Sequence, residues 1–135
     1  MPDRPFDWSE YLKLAEELAA RNEETCLRTS LSRAYYYVFH LALTRAQQNG
    51  FVSTQGESSH GQLWRLFSLN PEPECVVLAQ IALRLKEKRE RADYNSLYRR
   101  IEEDVPQVLA DAQDFAVRLG RLAPRHPNPA SMRRR

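Results

Sequence analysis

The chain has 135 residues, 42% hydrophobic and 28% charged, which suits one soluble globular domain and excludes wholesale disorder. Seventeen leucines and 14 alanines against seven valines and two isoleucines, with four glycines, favour helices and exclude a sandwich or barrel built on tight glycine turns. The formal net charge of +2 divides into −4 over residues 1–117 and +6 from Arg118 onward, which is not the footprint of a dedicated DNA-binding face.

No apolar run approaches the roughly 18 residues of a membrane span. The first ten residues carry acids and no apolar stretch, so no signal peptide and no membrane association are expected, and a cytoplasmic location is. Cys26 and Cys75 stand alone, without histidines at metal-ligand spacing, and fit a reducing compartment.

In chain order, Asp7-Trp8-Ser9-Glu10 has capping-box spacing and opens a first helix carrying Trp8, Tyr11, Leu12, Leu14, Ala15 and Leu18. Arg21-Asn22 ends it. A long second helix is expected from about Glu24 to Asn49, with Gly50 suited to a left-handed C-terminal cap. Residues 51–57 read as a loop, and Ser58 or Ser59 caps a short third helix with Leu63, Trp64, Leu66 and Phe67. Asn70-Pro71-Glu72-Pro73 leads into a fourth helix, roughly Glu74 to Tyr94. Asp104 is expected to cap a fifth helix, with Pro106 in its first turn and a stripe from Val108 to Leu119. The fold class is therefore all-α, an antiparallel up-and-down helical bundle of four main helices plus one short helix. Residues 1–122 form that bundle. Residues 123–135, with three prolines and no apolar periodicity, are expected to be a basic disordered tail.

On the second helix, Leu27, Leu31, Ala34, Tyr35, Val38 and Ala42 share one side, extended by Phe39 and Leu43. The opposite side collects Thr29, Arg33, Tyr36, Tyr37, His40, Thr44 and Gln47. A fixed cation, a group titrating near neutrality and two phenols can hold a phosphate or a base. The plainer alternative pairs Arg33 with a neighbouring carboxylate and His40 with a backbone group. On the fourth helix the apolar line Leu78, Ala82, Leu85 continues into Arg89 and Ala92. Burying a lone guanidinium costs several kcal/mol, so Arg89 needs a partner, and Asp93 one turn on is placed to be it. Either that pair locks the bundle or Arg89 serves a nucleic-acid phosphate. His60 opens the third helix, where backbone N–H groups could hold an anion, although a surface histidine beside a cap is the commoner case. His126 lies in the tail and has no role, and no P-loop, dinucleotide fingerprint, zinc motif or nucleophile elbow is present. No cofactor and no metal is expected.

Three segments resemble a known signature. Ser32-Arg33-Ala34-Tyr35-Tyr36-Tyr37-Val38-Phe39-His40, then Ser58-Ser59-His60-Gly61, then Arg89-Glu90-Arg91-Ala92-Asp93-Tyr94 are similar, in order and spacing, to small HEPN-domain proteins with an SRAYYxxFH helix, an SSHxG turn and a closing RxxADY. The resemblance covers about residues 8–120. It implies a homodimer with the ends of the long helices at the interface, and a nucleotidyltransferase partner in a two-gene toxin–antitoxin or defence module. Many HEPN relatives are metal-independent ribonucleases with an Rx4–6H motif, in which arginine holds the scissile phosphate and histidine moves a proton. This chain has Tyr94 at the histidine position, and a phenol with pKa near 10 is a poor base at neutral pH. Three functions follow from the resemblance. The leading one is an accessory or binding protein in which Arg33, His40, Arg89 and Asp93 line a polar groove, with Tyr36, Tyr37, His60 and Tyr94 as further binding residues, for RNA, a nucleotide or the partner. The second is a ribonuclease with Arg89 and a relocated His40 or His60 as its catalytic pair. The third is a purely structural dimerisation module.

Overall fold

The computed structural model describes residues 4–54 and 58–133. Five α-helices follow one another: α1 (Ser9–Ala19), α2 (Glu24–Gln48), α3 (Ser59–Ser68), α4 (Pro73–Tyr94) and α5 (Ile101–Arg121), with a 3-10 turn at Pro129–Ser131. No strand occurs among the described residues. The all-α expectation is met, and the helices form a bundle.

Paired contacts give its directions. Trp8 stacks on His40 while the Ser30 hydroxyl donates to the Ala15 carbonyl, so α1 and α2 run in opposite senses. Arg28 reaches the Ala92 carbonyl and Arg89 reaches Tyr36, so α2 and α4 are also antiparallel. Along α4 and α5, Lys88 meets Asp104, Arg84 meets Asp111 and Glu74 meets Arg118, again in reversed order.

The central element is α2, against which α1, α4 and α5 all lie. At 25 residues it spans roughly 37 Å, and its neighbours cover most of its circumference. For that reason Tyr37, expected on a polar face, is buried. A two-sided reading suits a helix at the rim of a bundle; this one sits in the middle. The short α3 brings Trp64 edge-on to Phe39 and Phe115 and closes the core around Tyr35, Leu31, Leu63, Phe67, Leu78 and Leu85.

The helix ends follow ordinary capping chemistry with two departures. Gly50 has φ of +96°, as a left-handed cap requires, and the Ser58 hydroxyl accepts from the Gly61 N–H. At α1 the Asp7 carboxylate accepts from both the backbone N–H and the hydroxyl of Ser9, and Trp8 occupies the cap position without a side-chain bond. Asp104 is not a cap. The helix already begins at Ile101, and the buried Asp104 accepts from the Tyr98 hydroxyl at 2.5 Å and lies 3.4 Å from Lys88. A carboxylate with two such partners is better satisfied inside the α4–α5 contact than at a helix start. Pro106 accordingly falls in the second turn, where its missing N–H leaves one carbonyl of the first turn without an intrahelical donor.

The segment after α5, expected to be disordered, lies against the bundle as far as it is described. The Arg45 guanidinium donates to the carbonyls of Leu119, Leu122, Ala123 and His126. Asn49 and Asn70 donate to the carbonyls of Pro124 and Asn128, and the Arg133 N–H donates to the Leu69 carbonyl. Pro127 is fully buried. Backbone carbonyls carry no sequence signature, so a cation on α2 that collects them is invisible to a reading of the tail's composition. No helix is long and apolar enough to cross a membrane, among the described residues.

Candidate functional site

Helical spacing of three and four sets Arg33, Tyr36 and His40 in one stripe along α2. The antiparallel α4 brings Arg89 and Asp93 to one side of that stripe. The start of α1 brings Trp8 and Tyr11 to the other, and the start of α3 brings His60.

Arg89 is a largely enclosed charge. Its side chain is 11% exposed and its guanidinium carbon lies 5.3 Å from the Tyr35 ring centre and 5.5 Å from that of Tyr36. Nη1 donates to Asp93 Oδ2 at 3.3 Å and to the Tyr36 hydroxyl at 3.5 Å. Nε is buried and has no hydrogen-bond partner among the described residues. The Arg89–Asp93 pair expected from the sequence is present, but it engages only Nη1, and Asp93 itself is 31% exposed. The two tyrosine faces offset part of the desolvation cost, about 0.5–2 kcal/mol for each such contact.

Arg33 has no carboxylate at all among the described residues; its one hydrogen bond is a 3.5 Å contact to the Ser32 hydroxyl. Its guanidinium instead lies over Tyr11 at 4.7 Å and over Tyr36 at 5.4 Å. The alternative that paired Arg33 with a neighbouring acid is therefore not realised. Two guanidiniums share the Tyr36 ring, and one carboxylate accompanies them. The cluster keeps a positive excess.

The two imidazoles are held differently. His40 lies flat on Trp8, with ring centres 3.5 Å apart and planes 1° from parallel, and neither ring nitrogen hydrogen-bonds among the described residues. His60 stacks on Phe39 at 3.9 Å, meets Tyr36 edge-on, and places Nδ1 2.6 Å from the Tyr35 hydroxyl, which also accepts from Trp64 Nε1 at 3.0 Å. Burial, then the charge of Arg33, holds the His40 pKa below its usual value; burial, then Arg89 and Lys86, does the same for His60. Burial pushes the Tyr35 hydroxyl up to about 12. At neutral pH all three are uncharged.

Those shifts have a signed consequence. The unfolded chain takes up protons on both histidines near 6.5 while the folded chain resists them. The contribution to stability is complete above about 6.5 and is lost as pH falls through the depressed folded values. Urea midpoints measured at pH 7.5 and 5.5 are expected to drop on acidification. The drop is smaller in His60→Gln, whose side chain does not titrate; an equal drop in both proteins would contradict this.

Tyr94, at the position of the motif histidine, is 76% exposed and makes no ring or hydrogen-bond contact with the cluster among the described residues. Tyr37 lies inside the bundle on the α1 side, beside Leu41 and Leu119. Arg33, Tyr36, His40, His60, Arg89 and Asp93 form one connected set; Tyr37 and Tyr94 stand outside it. Four participants escape a sequence reading: Trp8, Tyr11, Tyr35 and Trp64. Tyr35 counts as core by periodicity, and only its hydroxyl within an otherwise apolar stripe signals a buried partner. No cluster of three or more metal-ligating side chains occurs among the described residues.

Compared with protein-family models, with curated proteins and with solved structures, the chain matches none.

Proposed function

We propose that the protein binds RNA or a nucleotide through its phosphates at the Arg33–Tyr36–Arg89 cluster, as an accessory or binding protein of the HEPN type. The observation that carries this is the imbalance at Tyr36: two guanidiniums against one carboxylate. Guanidinium forks fit phosphate oxygens, and the surrounding rings lower the local dielectric, which strengthens a charge-assisted bond. Binding is favoured over cleavage because Tyr94 faces solvent and the nearest imidazole reaches the Arg89 region through Tyr35. The same reading includes a homodimer, a nucleotidyltransferase partner, a toxin–antitoxin or defence setting and a cytoplasmic location.

The test is fluorescence anisotropy of a labelled single-stranded RNA with the purified protein in EDTA, followed by a gel of the same RNA. Saturable binding with intact RNA is expected. Absence of binding contradicts the proposal. Metal-independent cleavage that vanishes in His40→Ala and Arg89→Ala replaces it with the ribonuclease reading.

A further inference from the structure

We infer that Trp64 and Tyr35 lock His60 in the tautomer carrying its proton on Nε2, so that His60 serves the Arg33–Arg89 cluster as a hydrogen-bond donor to a phosphate oxygen. The inference rests on phosphate binding at that cluster and names a further ligand-binding group there.

The argument is a count of protons and lone pairs. Indole Nε1 can only donate, so the Tyr35 oxygen accepts from Trp64. Tyr35 is 0% exposed, and His60 Nδ1 is the one acceptor within reach of its hydroxyl among the described residues. If His60 Nδ1 carried a proton and donated it, the Tyr35 oxygen would accept twice. Its own proton would then be buried without an acceptor, at a cost of about 1–3 kcal/mol. The Tyr35 proton therefore goes to Nδ1 across the 2.6 Å contact. A neutral imidazole with a bare Nδ1 holds its proton on Nε2. Protonating His60 would break the same bond, which agrees in direction with its resistance to charging.

Nε2 makes no hydrogen bond among the described residues. The ring that carries it is fixed by Phe39 on its face and Tyr36 at its edge, and the Arg89 charge is felt at the imidazole. A rigid N–H donor is thus carried by a ring that meets Tyr36, the same ring both guanidiniums share. Phosphate oxygens are acceptors only, so all three groups suit one ligand. The arrangement also denies His60 the part of general base, since Nε2 is already protonated and Nδ1 faces a buried phenol.

Two measurements decide it. Two-bond 1H–15N correlation spectra of the 15N-histidine-labelled protein at pH 8 are expected to show Nδ1 bare and Nε2 protonated for His60. The reverse pattern, or an average of the two tautomers, overturns the inference. In anisotropy titrations with the labelled RNA, His60→Ala is expected to lose about tenfold in affinity, as for one bond to a charged group. His60→Gln, whose amide N–H falls near the Nε2 position, is expected to stay within about threefold of the parent. Equal losses in both variants overturn the donor role. If the parent itself fails to bind RNA, the phosphate-binding reading falls and the donor role with it. A parent that binds but shows the wrong tautomer overturns this inference alone.

Discussion

Arg89→Ala is expected to abolish RNA binding, a loss of at least about 100-fold, while the far-UV circular dichroism stays nearly unchanged. A bond from a guanidinium to a charged oxygen contributes roughly 1.5–3 kcal/mol, and a two-pronged contact more; about 2.7 kcal/mol is already two decades of affinity. The fold tolerates the change because the loss falls on few partners. Asp93 reaches water, and the Tyr36 hydroxyl gives up only a 3.5 Å contact. Alanine is also the best helix former for the vacated position on α4. An Arg89→Ala protein that binds RNA as well as its parent would remove this side chain from the site.

Arg33→Ala is expected to weaken binding about tenfold and to flatten the salt dependence. Each phosphate neutralised on a single strand contributes about 0.7 to the slope of log K against log salt, so losing one cation shallows that slope by about 0.7. Arg33→Lys separates charge from shape. It keeps the slope but loses affinity, because an ammonium does not lie across Tyr11 and Tyr36 as a planar guanidinium does. A slope identical in parent and Arg33→Ala would mean that Arg33 meets no phosphate. The comparison is best made with a protein ending at residue 132 beside the full chain, since the closing arginines add salt-sensitive attraction of their own.

What was legible in the sequence is what local chemistry decides. Gly50 announces the end of α2 because few other residues adopt its backbone angle, and Ser58 announces α3 because its hydroxyl meets a free N–H. Arg89 is conspicuous because it interrupts an apolar line. The consecutive Tyr35 and Tyr36 of α2 are the surface it meets.

The remainder depends on which helix lies beside which. Asp104 looks like a cap until Tyr98 and Lys88 approach it from the preceding loop and from α4. Tyr37 looks solvated until α2 is known to be the central helix. The last segment looks disordered until Arg45, some 75 residues earlier, gathers its carbonyls. Within the site, Trp8 beneath His40 and Trp64 behind Tyr35 are long-range meetings that no spacing in the sequence encodes. Charge pairing was legible where it is local, as for Arg89 and Asp93 one turn apart, and hidden where it is not. Arg33 and Arg89 are both arginines on helices, yet among the described residues Arg89 finds an acid and Arg33 does not.

The cluster and the basic C-terminal segment make competing claims on a polyanion, and the Nε–H resonances of arginine distinguish them directly. Titrating the 15N-arginine-labelled protein with single-stranded RNA, with the signals assigned from Arg33→Lys and Arg89→Lys variants, is expected to shift the Arg33 and Arg89 resonances saturably and together. Shifts confined to Arg121, Arg125 and the terminal arginines, with Arg33 and Arg89 unmoved, would contradict the account.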